Sequence, residues 1–152
     1  MKNQKQIITI LMADDDADDR QMTKDAFVEN RLTNDLRFVE NGVELMDYLY
    51  RRGNYSDPEQ SPRPGLILLD LNMPKMDGRE ALAEIKKDLN LRTIPIVVLT
   101  TSKQEEDIHR SYELHANSYI TKPVTFEQLV TVIKDVQRYW LEIVELPERS
   151  LT

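Results

Sequence analysis

The chain has 152 residues, 40% of them hydrophobic and 31% charged, enough for one domain with a real core and too apolar for wholesale disorder. Its net charge of -7 opposes binding to nucleic acid or to an anionic membrane surface, because both repel it. The absence of cysteine removes disulfides, thiolate nucleophiles and Cys-ligated zinc, and leans toward a reducing, cytoplasmic compartment.

The first apolar run, Ile7–Ala13, is too short to span a membrane and runs straight into aspartates, which is wrong for a secretory signal. It reads as a strand, followed by Asp14-Asp15-Asp16 and a helical pattern carrying Met22, Ala26 and Phe27. A second strand, Leu36–Val39, precedes a helix marked by Val43, Met46, Leu49 and Tyr50. From Gly53 to Pro64 the prolines Pro58, Pro62 and Pro64 forbid regular helix and predict an exposed loop. The third strand, Leu66–Asp70, exits through Asn72-Met73-Pro74 and Asp77-Gly78 into a helix with Leu82, Ile85 and Leu89. Ile94–Thr100 is a fourth strand, and Ile108, Tyr112 and His115 mark the next helix. Ser118–Thr121 is a fifth strand, closed by Lys122-Pro123. A last helix runs from about Thr125 to Leu146 and stops at Pro147. The strands are near-continuous apolar runs, as expected when both faces of a sheet are covered. Alternating with helices, they predict an α/β fold: one doubly wound parallel sheet of five strands with right-handed crossovers.

Charge stands at the C-terminal ends of these strands, where an open parallel sheet has its crevice. Asp14, Asp15, Asp16, Asp18 and Asp19 crowd into six residues. A helix N-terminus accommodates one or two of them, and a cation relieves the mutual repulsion of the rest. The calcium loop of an EF-hand fails as an explanation: Asp19 stands where that loop needs Gly, Asp25 where it needs Glu, and a strand comes before it. Taken singly, Asp70 could cap a turn, Thr100 could be an ordinary strand threonine, Tyr119 a core aromatic and Lys122 a solvated lysine. Taken together at successive strand ends, they would hold a hard divalent cation beside a nucleophilic carboxylate, Asp70, an arrangement suited to phosphoryl transfer. A haloacid dehalogenase-type enzyme would need a second Asp where Asn72 stands, and a flavodoxin would need a hydroxyl- and Gly-rich phosphate loop after the first strand, so neither fits.

Asp14-Asp15, Asp70, Thr100, Tyr119 and Lys122-Pro123, with the segment Leu68-Leu69-Asp70-Leu71-Asn72-Met73-Pro74 and Asp77-Gly78, resemble the signature of the CheY-like receiver domain of response regulators. The resemblance covers roughly residues 6 to 138. It implies a flavodoxin-like sheet in order 2-1-3-4-5 and a magnesium site formed by Asp15, Asp70 and the Asn72 backbone carbonyl, with Asp14 acting through water. It also implies that Asp70 accepts a phosphoryl group from a kinase phosphohistidine, that Lys122 and Thr100 bind that group, and that Tyr119 swings inward as Thr100 moves. The Lys122–Pro123 bond would be cis. Asn72 and Ser102 would tune dephosphorylation, whereas Asp16 has no defined role. The proline-rich insertion and the long last helix further resemble small stand-alone regulators that serve bacterial phytochrome histidine kinases. On this reading the chain is a single receiver domain over residues 1–152 without an output domain. It is not an enzyme acting on a separate substrate, and it signals through protein contact. A receiver used only as a phosphorylation-independent binding module is the alternative. Leu129, Val132, Ile133, Val136, Trp140, Ile143 and Val144 keep helical spacing, and the far end, Trp140, Ile143 and Val144, is expected to project past the core as a homodimer interface.

Overall fold

A computed structural model describes residues 8–29, 31–100 and 118–121, together with 125, 127–128, 131 and 134. Five strands form one parallel sheet: β1 (Thr9–Ala13), β2 (Asp35–Val39), β3 (Leu66–Asp70), β4 (Ile96–Thr100) and β5 (Ser118–Thr121), in order β2-β1-β3-β4-β5. This is the order the receiver resemblance implies. Between strands lie α1 (Ala17–Glu29), α2 (Gly42–Tyr50) and α3 (Gly78–Lys87). Of the last helix only 125, 127–128, 131 and 134 are described; Trp140, Ile143 and Val144 fall outside the described residues, as do Ser102, the expected helix with Ile108, Tyr112 and His115, and Lys122 and Pro123.

The central strand β3 is buried at all five positions, and its side chains divide between two cores. Ile67 and Leu69 pack with Leu11, Ala13 and the α2–α3 residues Leu45, Met46, Leu82 and Ile85. Leu66 and Leu68 point the other way, joining Ile10, Met12, Ala26 and Phe27 under α1. Alternate residues of one strand therefore serve opposite faces, and both faces must be apolar, which is why β1, β3 and β4 are near-continuous apolar runs, whereas the edge strand β2 carries Asp35 and Arg37. Truncating a fully buried β3 residue such as Ile67 to Ala is expected to cost about 2–5 kcal/mol.

Three expectations about the helices need correction. Val43 and Tyr50 share the predicted periodicity of α2 yet remain partly exposed, whereas Leu45, Met46 and Tyr48 are buried. On α1, Met22 faces solvent and Thr23 takes the buried position beside Ala26 and Phe27. Leu89 lies beyond the end of α3 and is exposed.

The proline-rich insertion is irregular, as expected, apart from a 3-10 turn at Gly53–Tyr55. It is not exposed throughout: Tyr55 and Pro62 are half-buried and Ser61 and Pro64 are buried, while Arg63 stays exposed. The Ser61 hydroxyl donates to the carbonyls of Tyr55 and Asp57, and the Tyr48 hydroxyl donates to Pro62 O at 2.8 Å. Arg51 and Arg37 hold the carbonyls of Ser61 and Gln60. The segment is tied to α2 and to the β2 edge through its own backbone.

Candidate metal and phosphoacceptor site

Register fixes the site. Ala13 of β1 pairs with Leu69 of β3, so the next residue of each chain segment, Asp14 and Asp70, arrives at the same level on the carboxyl rim. Carboxylate oxygens of Asp14, Asp15 and Asp70 lie within 4.8 Å of one another. Asp14 is fully buried and Asp70 is 3% exposed, while Asp15 faces solvent. Asp70 pairs with Leu99 of β4, which brings Thr100 to the next step of the same rim, and Thr100 pairs in turn with Thr121. Tyr119 lies on β5 opposite Val98. The backbone thus places Thr100 and Tyr119 in the two strands beyond Asp70, in the order that the sequence predicts.

Each carboxylate is held by nearby backbone. Asp14 N–H donates to Val39 O at 3.0 Å, and its own Oδ1 accepts from Asp16 N–H at 2.9 Å. Asp70 Oδ1 accepts from Asn72 N–H at 3.1 Å, and Leu71 N–H is fixed to Leu99 O. Downstream, Asp77 caps α3: its side chain accepts from the backbone N–H groups of Arg79 and Glu80, and Glu80 returns a bond to Asp77 N–H. Gly78 opens that helix against the end of β3, where a Cβ would fall 2.3 Å from Asp70 O. Its N–H donates to Leu71 O at 2.9 Å, closing the loop. The same loop meets α2, whose first residue Gly42 donates to Met76 O at 2.8 Å. Lys75, at the turn between, has φ of +65°, a conformation that favours glycine.

Two residues have roles that sequence reasoning missed. Asp16, expected to add only charge, caps α1 by accepting from Asp18 and Asp19 N–H through Oδ1. The signal was present, an Asp followed three residues later by an acid at the head of a helical pattern, but it was masked by its acidic neighbours. Arg20 reaches back from the first turn of α1 to donate to Asp14 O at 2.8 Å, and it pairs with Glu40 at 3.6 Å. It braces the chain between β1 and α1 and offsets part of the acidic charge.

The donor set fits a hard divalent cation. It offers oxygen ligands only, two from buried groups that lose water on folding and one open to solvent, where metal-bound waters can remain. Two carboxylates held this close in a buried crevice repel strongly without a compensating charge.

Comparison with known proteins agrees with this geometry. The family model of the response regulator receiver domain matches residues 10–134. The response regulator Rcp1 of Synechocystis sp. is 44% identical over 138 residues, covering 91% of this chain and 92% of Rcp1. A solved structure of the Mn2+-bound form of Rcp1 superposes with a TM-score of 0.71 at 42% identity, covering 90% and 96% of the two chains. The phosphorylated cyanobacterial phytochrome response regulator RcpA gives 0.72 at 43% identity, covering 89% and 94%. The bacteriophytochrome response regulator RtBRR gives 0.78 at 40% identity, covering 86% and 78%.

Proposed function

We infer the mode of action from one premise: the chain belongs to the response regulator receiver domain family. It is accordingly a response regulator of the two-component type, a family that works with histidine kinases, and its acidic pocket is a divalent-cation site. On our reading Asp70 is the phosphoacceptor. The observation that carries this assignment is a buried carboxylate at the end of a wholly buried strand, within 4.8 Å of Asp14 and Asp15 oxygens.

In the proposed reaction a carboxylate oxygen of Asp70 attacks the phosphorus of a phosphohistidine. The N–P bond breaks, and the imidazole nitrogen leaves with the bonding pair and takes a proton from water. Bound magnesium would supply positive charge against the phosphoryl oxygens. Asp15, Asp70 and the Asn72 carbonyl would hold the ion, with Asp14 behind them. The Asn72 N–H on Oδ1 orients the Asp70 carboxylate so that its other oxygen can attack. Lys122 and Thr100 would bind the transferred group, and Tyr119 would follow Thr100 in carrying the change to the surface. The protein then acts as a switch and not as an enzyme on a separate substrate. The similarity to RcpA and RtBRR supports a phytochrome-type kinase as donor. We place the protein in the cytoplasm, where such a donor presents its phosphohistidine. No helix among the described residues is long and apolar enough to cross a membrane.

Incubation with acetyl phosphate and magnesium is expected to add one base-labile phosphoryl group. Asp70→Asn should abolish it, and undiminished labelling of that variant refutes the assignment.

A further inference from the structure

Asn41 and Gly42 form the single Asn-Gly pair of the sequence. In such a pair the glycine amide nitrogen can attack the asparagine Cγ. The C–N bond of the side-chain amide then breaks, ammonia leaves, and a five-membered succinimide closes. Water opens the ring to aspartate or, by cleavage at the other carbonyl, to isoaspartate. Glycine favours the attack because no side chain shields its nitrogen.

The fold opposes every step of that approach. Asn41 is the N-cap of α2, with an extended backbone (φ -160°, ψ 171°), and its Oδ1 accepts from Glu44 N–H at 2.8 Å. The attacking nitrogen, that of Gly42, is engaged with Met76 O at 2.8 Å. The two segments are so close that a Cβ on Gly42 would fall 2.1 Å from that oxygen. Ring closure needs rotation about the Asn41 Cα–C bond, which pulls Gly42 away from Met76 and dislodges the first turn of α2. We propose that Asn41 is a spontaneous deamidation site gated by the loop that leads from Asp70 to α3. While the loop is seated, the reaction is held off; when Met76 O withdraws, it proceeds.

The two products differ in consequence. Aspartate keeps the capping oxygen and adds a carboxylate between Glu40 and Glu44. Isoaspartate lengthens the backbone by one carbon, so the cap on Glu44 and the bond to Met76 cannot both survive. The inference stands on the Asn41 side-chain cap and the Gly42–Met76 backbone contact and is independent of phosphoryl transfer.

The test follows conversion at Asn41 in the full-length protein by peptide mapping, with an isoaspartate-specific methyltransferase as second readout, in mildly alkaline buffer. Conversion in denaturing urea is expected to be fast, and conversion of the folded protein about tenfold or more slower, because it waits on local opening. Gly78→Ala, whose Cβ would collide with Asp70 O and shift the loop, should speed conversion in the folded state. If that variant does not fold, rates in wild type at sub-denaturing urea replace it and should rise before global unfolding. Equal rates in folded and unfolded protein, no conversion in urea, or a folded Gly78→Ala at the wild-type rate each overturn the proposal. So does a wild-type rate that rises only with global unfolding.

Discussion

Asp15 and Lys75 show how much single side chains decide at the rim. Asp15 is the exposed member of the carboxylate cluster, so Asp15→Ala removes a metal ligand and a source of repulsion without opening a cavity. We expect saturating magnesium to raise the melting temperature of the wild type, a hundredfold excess over Kd contributing about 2.7 kcal/mol. Asp15→Ala should lose that response and melt higher than wild type in the absence of metal; a full magnesium shift in the variant would count against the site. Lys75 is held at φ of +65°, where a side chain costs about 1–2 kcal/mol and glycine costs less. Part of that gain is lost to the freer unfolded chain, so Lys75→Gly should stabilise by about 0.5–1 kcal/mol, seen as a higher urea midpoint with an unchanged slope. The strand-end aspartates were legible from sequence because charge interrupts an apolar run at a place where packing alone has no use for it. The Asp16 cap and the Arg20 brace were not: one was hidden among like charges, and the other depends on a reach to a backbone carbonyl that no spacing encodes.

At the scale of elements, strands read more cleanly than helix faces. Every residue of β3 is apolar until Asp70, and both sides of the sheet are covered, so no choice of face arises. Helix α2 carries Val43, Leu45, Met46, Tyr48, Leu49 and Tyr50 among nine residues, and periodicity alone cannot select its buried stripe. The selection comes from tertiary contact: Gly42 against Met76 fixes the helix start, and Tyr48 turns inward to hold Pro62. That tyrosine gives a pH prediction. Burial, the largest influence, raises its phenol from 10.0 to about 12. A group whose native value is raised stabilises the fold fully below its unfolded value and loses that contribution as pH climbs from about 10 through about 12. Tyr55 is raised as well, by burial and then by its hydrogen bond to the Glu44 carboxylate, and adds to the same alkaline loss. Tyr48→Phe should therefore cost about 1 kcal/mol at neutral pH through the lost bond to Pro62 O, while flattening the decline above pH 10. Urea titrations on both sides of that pH check both halves.

For the whole molecule, a doubly wound parallel sheet with right-handed crossovers followed from the alternation of strands and helices, whereas its order β2-β1-β3-β4-β5 was implied by the receiver resemblance. Assembly is the property to measure next. We propose a homodimer through the C-terminal region, and Trp140→Glu is expected to shift sedimentation from dimer to monomer; a wild type that stays monomeric at high micromolar concentration, phosphorylated or not, removes it. What such an assembly could sense depends on the segment between Asp70 and Gly78. That segment is closed on itself by Gly78 to Leu71 and fastened sideways by Gly42 to Met76, both at contacts too tight for a Cβ. Mechanically it is a strut with almost no slack. A displacement imposed at Asp70 while the segment is seated is expected to emerge at the starts of α2 and α3 together. Lengthening the segment by one or two glycines would restore compliance, leaving chemistry at Asp70 intact while silencing whatever those two helix ends report.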